Sequence, residues 1–105
     1  MANFNTSGEH VLAPLYDYSK WNGEYIVMLK RITKYPHITQ QRVEAHKRWI
    51  SNEILKQDER EGYYVKFREN NPLMYKGRFP ANILDQIRRS DEVEYVQKNG
   101  CLKLF

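Results

Sequence analysis

The run Tyr25-Ile26-Val27-Met28-Leu29-Lys30 limits the choice of fold more than any other part of the chain. Aromatic, β-branched and aliphatic side chains fill it up to its closing lysine, and it follows a turn signal at Asn22-Gly23. A half-buried strand would alternate polar with apolar, and a surface helix would show a polar face. A short strand that is apolar on both sides belongs in the middle of a sheet with its faces covered. Tyr35-Pro36 ends the extended stretch, and Thr39 reads as the N-cap of what comes next.

From Gln40 the period changes. Val43, His46 or Lys47, Ile50 and Ile54 recur at three and four residues with Trp49 beside them, which is the stripe of an amphipathic helix of about four turns. Asp58-Glu59-Arg60-Glu61-Gly62 closes it. Alternation then returns, with Tyr63, Val65 and Phe67 on one face and Tyr64, Lys66 and Arg68 on the other. Glu69-Asn70-Asn71-Pro72 is a turn. In the return strand Leu73, Tyr75 and Phe79 share a face, and Met74, Lys76 and Arg78 share the opposite one. Pro80 opens a second helix with Ile83, Leu84 and Ile87 as its buried stripe and Arg88-Arg89 at its negative end. Val93-Glu94-Tyr95-Val96 is the last strand, and residues 97 to 105 form a tail.

The order β-α-β-β-α-β predicts an α+β fold of ferredoxin-like arrangement: a four-stranded antiparallel sheet with two helices on one face. The other face is then open, and alternation assigns it Tyr64, Lys66, Arg68, Met74, Lys76 and Arg78. Residues 1–23 read as an irregular arm that partly packs on the domain, 24–99 as the domain itself, and 100–105 as a C-terminal tail.

Composition removes several function classes. The single cysteine, Cys101, excludes a disulfide scaffold, a CxxC site and a paired-cysteine metal carrier. His10, His37 and His46 have no metal-ligand spacing, so neither metal nor cofactor is implied, and His46 reads as a core histidine. No Ser/His/Asp spacing, phosphate loop or HExxH is present, so the chain does not read as an enzyme. No apolar stretch is long enough to span a membrane, and the start has no secretory pattern, so the expected location is cytoplasmic. A net charge of +4 permits an acidic partner without demanding nucleic acid. Lys76-Gly77-Arg78-Phe79 matches one corner of an RNA-recognition signature, but Pro80-Ala81-Asn82 breaks it.

Four segments in order, Tyr25-Ile26-Val27-Met28-Leu29-Lys30, His46-Lys47-Arg48-Trp49-Ile50, Tyr75-Lys76-Gly77-Arg78-Phe79 and Val93-Glu94-Tyr95-Val96, give residues 24 to 105 a specific likeness. The pattern resembles the inhibitor I9 family, the propeptides of subtilisin-like serine proteases and their stand-alone inhibitor relatives. The resemblance implies an inhibitor of such a protease, acting in trans since no protease domain accompanies it, and monomeric rather than dimeric. It also implies a folding-assistant role of the kind propeptides play.

By the same resemblance, the open sheet face (Tyr64, Lys66, Arg68, Met74, Lys76, Arg78 and Asn99) docks on surface helices of the protease. Cys101, Leu102, Lys103, Leu104 and Phe105 run into its cleft, with Phe105 at the primary specificity pocket and Leu102 in the apolar subsite farther along. Two features depart from the family pattern. Gln97-Lys98-Asn99 stands where acidic residues often cap the protease helices, leaving Asn99 as a neutral cap, and the open face is basic. Both point to an acidic docking surface on the partner or to loss of the inhibitor role. Two alternatives keep the fold: a non-inhibitory module that binds an acidic protein or RNA through the basic face, and a small dimeric enzyme or accessory protein.

Overall fold

The computed structural model describes residues 12–16, 21–31 and 34–99. Along the chain these form strand β1 at Leu15–Tyr16, strand β2 at Tyr25–Leu29, helix α1 at Pro36–Leu55, strand β3 at Tyr64–Phe67, strand β4 at Met74–Arg78, helix α2 at Ala81–Arg89 and strand β5 at Val93–Lys98. The strands lie in the order β1-β5-β2-β4-β3. As its composition demands, β2 is central: Val27 faces Tyr75 of β4 on one side and Val96 of β5 on the other, both pairings antiparallel.

The sheet corrects the four-stranded antiparallel expectation. It has five strands and is mixed, because β1 runs parallel to β5 with Leu15 opposite Val96 and Tyr16 opposite Gln97. Without β1, the outer edge of β5 would leave backbone donors and acceptors unpaired. The Val96 amide instead donates to the Pro14 carbonyl at 2.8 Å. The segment is also stitched to α2: the Ala13 amide donates to the Arg88 carbonyl at 2.9 Å, and Arg88 Nε returns a bond to the Ala13 carbonyl at 2.9 Å. At these positions the expected arm packs on the domain, as a two-residue strand paired with β5. A two-residue strand is too short to show alternation, and Pro14 beside it reads as a breaker.

One core holds the layers together. Val43 and Ile50 of α1 and Ile83 and Ile87 of α2 pack with Tyr25, Val27, Leu29, Tyr75, Phe79, Val93 and Val96. Residues of both helices meet the same set of strand side chains, so both helices cover one face of the sheet. Gly77 sits in this packing on β4. A Cβ there would collide with the Tyr64 carbonyl oxygen and lie 2.7 Å from the Phe79 ring, so the missing side chain is what lets strand and ring approach.

Helix α1 begins earlier than the sequence suggests. Pro36 occupies the first turn, Tyr35 is the N-cap residue, and no side chain caps the end. Thr39 is the fourth residue of the helix rather than its cap, and its hydroxyl donates back to the Tyr35 carbonyl at 3.4 Å. A proline in a first turn needs no amide partner, so Pro36 starts the helix where it was expected only to end a strand. At its other end β5 runs on through Gln97 and Lys98, which were expected in the tail.

Candidate functional site

Cross-strand register decides which side chains share the face away from the helices. Lys66 pairs with Lys76, Lys76 with Ile26, and Ile26 with Gln97; Met74 pairs with Met28, Met28 with Tyr95, and Tyr64 with Arg78. Tyr64, Lys66, Met74, Lys76 and Arg78 therefore lie together as alternation predicts, and Arg68 follows directly after β3. Alternation along β2 and β5 would also have found Ile26, Met28, Tyr95 and Gln97, because their period is the same.

The face is only partly open. Lys66 and Arg78 are exposed, and Tyr64, Arg68, Met74 and Lys76 are half-buried. Ile26, Gln97 and Asn99 are 1%, 6% and 3% exposed. The exposed charges of this face, Lys66 and Arg78, therefore lie on the β3–β4 hairpin, while the β5 side offers half-buried Tyr95 and exposed Tyr16. Asn99 was expected there as an outward cap, but it is buried instead.

Like charges directly opposite on paired strands repel. Lys66 and Lys76 are such a pair, and Glu24 is the counter-charge. Lys76 Nζ lies 3.9 Å from Glu24 Oε1. The Tyr64 hydroxyl donates a short bond to Glu24 Oε2, and Asn99 Nδ2 donates to Glu24 Oε1 at 3.0 Å. Burial alone would raise the Glu24 pKa. The hydrogen bonds from Tyr64 and Asn99, with the charges of Lys76 and Lys66, outweigh it and hold the carboxyl below its usual value. Burial, together with the bond to Glu24 and its negative charge, pushes the Tyr64 phenol up. Lys66 Nζ lies over the Tyr64 ring, 5.4 Å from its centre.

The backbone around Glu24 is equally committed. Its carbonyl accepts the Asn99 amide at 2.9 Å and the Trp21 indole N–H at 2.7 Å, and the Asn22 amide donates to the Asn99 carbonyl at 3.1 Å. The Asn22 side-chain oxygen accepts the Glu24 amide at 3.0 Å. Gly23 closes this turn at φ 91°, and the Arg78 guanidinium lies against it. Lys98 Nζ is 4.6 Å from the centre of the Trp21 ring. Asn99 Oδ1 is buried with no hydrogen-bond partner among the described residues. Sequence reading missed Glu24: it lies just before a strand, and only the register shows that β3 and β5 converge on it.

Residues 100–105, and with them Cys101, Leu102, Lys103, Leu104 and Phe105, lie outside the described residues. Asn99 is the residue from which they continue.

A second polar group resembles a catalytic set by composition only. His46 Nε2 meets the Tyr75 hydroxyl at 2.8 Å, and its Nδ1 lies 3.5 Å from Ser90 Oγ and 3.8 Å from Glu92 Oε1. The Ser90 hydroxyl donates to Glu92 at 2.9 Å rather than to the imidazole. A nucleophile needs its base on the hydroxyl proton, and here a carboxylate holds that proton while buried Tyr75 takes the other ring nitrogen. The group ties α1 to the start of β5, as expected of a core histidine. Among the described residues no cluster of His, Cys, Asp or Glu could hold a metal ion, and no helix is long and apolar enough to cross a membrane.

Comparison with curated proteins finds no match. The family model of peptidase inhibitor I9 matches residues 24–105. The match begins at the carboxylate that gathers β3, β4 and residue 99, takes in both helices and every strand but β1, and runs through the tail. The chain belongs to the peptidase inhibitor I9 family, whose domains are protease inhibitors of the subtilisin-propeptide kind.

Proposed function

We propose that the protein inhibits a subtilisin-like serine protease by laying residues 101–105 along the protease's substrate cleft, on the side a departing acyl product occupies. The observation that carries this is the family match, which continues past the last strand to residue 105. Phe105 enters the primary specificity pocket and Leu102 the apolar subsite three residues earlier, with Lys103 and Leu104 between them and Cys101 at the entrance. An extended segment adds to exposed strand edges of the enzyme, so backbone hydrogen bonds supply affinity and pockets supply selectivity. Burying Phe105 and Leu102 contributes about 1.5–3 kcal/mol each. The carbonyl end of Phe105 lies toward the oxyanion donors, where a product's carboxyl group would lie.

The hairpin half of the sheet face supports the globular domain on the enzyme. Its exposed Lys66 and Arg78 suit an acidic docking surface. A domain that covers the enzyme's surface helices also assists that enzyme's folding, which is the second part of the proposal.

Titration of a purified subtilisin with the full chain, and with a chain lacking residues 102–105, tests the mechanism. Competitive inhibition by the full chain and its loss on truncation is the expected pair of results. Inhibition that survives truncation overturns the cleft mechanism.

A further inference from the structure

The bonds around Glu24 converge on a residue with no evident role of its own. Asn99 is held through its amide, its carbonyl and its side-chain amide, and two of these three bonds end on Glu24. Glu24 is held in turn from β3 by Tyr64 and from β4 by Lys76. Strands β3 and β4, Glu24 at the start of β2 and the turn at Asn22-Gly23 thus fix the residue that follows β5, six residues before residue 105. Strand ends fray where nothing holds them. These bonds lie where β5 ends, at the point from which residues 100–105 continue.

We propose that Glu24, Tyr64 and Asn99 form a positioning clamp that fixes where and in which direction residues 100–105 leave the sheet, and so sets the affinity of the inhibitor. This rests on the cleft reading above. Its physical basis is preorganisation: a segment leaving a fixed root has fewer directions to lose on binding, so less of its contact energy is spent on ordering. Loosening the root returns that cost without touching any residue in the cleft. Glu24 is central because it alone accepts from both Tyr64 and Asn99. Among the described residues the groups facing it are donors or cations: Tyr64, Asn99, Asn22, Lys76 and Lys66.

The experiment is a double-substitution cycle in the full-length chain, read as the inhibition constant against a subtilisin. Phe105→Ala removes the pocket group and weakens inhibition by roughly 30-fold. Tyr64→Phe removes one donor to Glu24 and weakens it by about tenfold, the scale of one or two newly free side chains. In the double variant the loss falls well short of the roughly 300-fold product, because a tail without its anchor gains little from being aimed. Glu24→Gln, which keeps the size and removes the charge, provides a second route to the same pattern, and circular dichroism confirms that each variant is folded.

Losses that simply multiply mean that Tyr64 and Glu24 act on the fold alone and overturn the clamp. So does inhibition by Tyr64→Phe and Glu24→Gln as tight as that of the unaltered chain. Absence of inhibition by the unaltered chain overturns the cleft reading itself, a result distinguishable from either of these.

Discussion

At Gly77 the space for a side chain is already taken by the Tyr64 carbonyl and the Phe79 ring. One of these is backbone paired in the sheet, so it cannot swing aside. Gly77→Ala therefore forces β3 and β4 apart and lowers the unfolding free energy by about 1–3 kcal/mol, measurable by urea denaturation. His46 gives a different signature. Burial lowers its pKa, opposed by the charge and hydrogen bond of Glu92, and Tyr75 on its other side is uncharged with its own pKa pushed well up by burial. The unfolded chain protonates this histidine near pH ~6.5, while the folded chain resists until lower pH. The stability it contributes is complete above about pH 6.5 and is lost as the pH falls through the lowered folded value. Thermal melts show a falling midpoint across that range in the native chain. In His46→Gln, which keeps a partner for the Tyr75 hydroxyl, this part of the pH dependence disappears.

Among the elements, β1 is the one whose removal is easiest to follow. Arg88→Ala deletes the guanidinium bond to the Ala13 carbonyl, and a hydrogen bond from a charged group contributes roughly 1.5–3 kcal/mol. The expected outcome is faster hydrogen exchange at the Val96 amide, which donates to Pro14, with no change at Val27 in the sheet centre. The same elements show what a sequence displays and what it hides. α2 and the faces of the hairpin follow from period because burial on one side imposes a repeat, and β2 follows from an unbroken apolar run because both its sides are covered. β1 is invisible because two residues make no repeat, and α1 begins before its stripe because Pro36 is as good a helix opener as a strand breaker. The hairpin residues of the face away from the helices were legible from alternation. Glu24 was not, since a lone carboxylate beside a strand acquires meaning only when register brings Tyr64, Lys76 and Asn99 to it.

For the molecule as a whole, charge and shape act on different steps of association. Lys66 and Arg78 are exposed on the hairpin half of the sheet face, where on the proposed reading they steer the approach of an acidic surface without being desolvated. Raising the ionic strength from about 0.01 to about 0.15 M shortens the screening length from ~30 to ~8 Å. Association with the protease then slows several-fold while dissociation is unchanged. The variant carrying Lys66→Ser and Arg78→Ser loses most of that dependence; stopped-flow measurement of the association rate checks both. The strand order has one more consequence. On the mechanism proposed above, the chain donates an extended segment to another protein and must not invite the same from its own kind. Its two outermost strands are β1, with two residues, and β3, with four. Rims that brief offer a second copy few unpaired amides and carbonyls to grow on, so edge-to-edge growth is disfavoured and, on the proposed mechanism, the bait stays free for the enzyme.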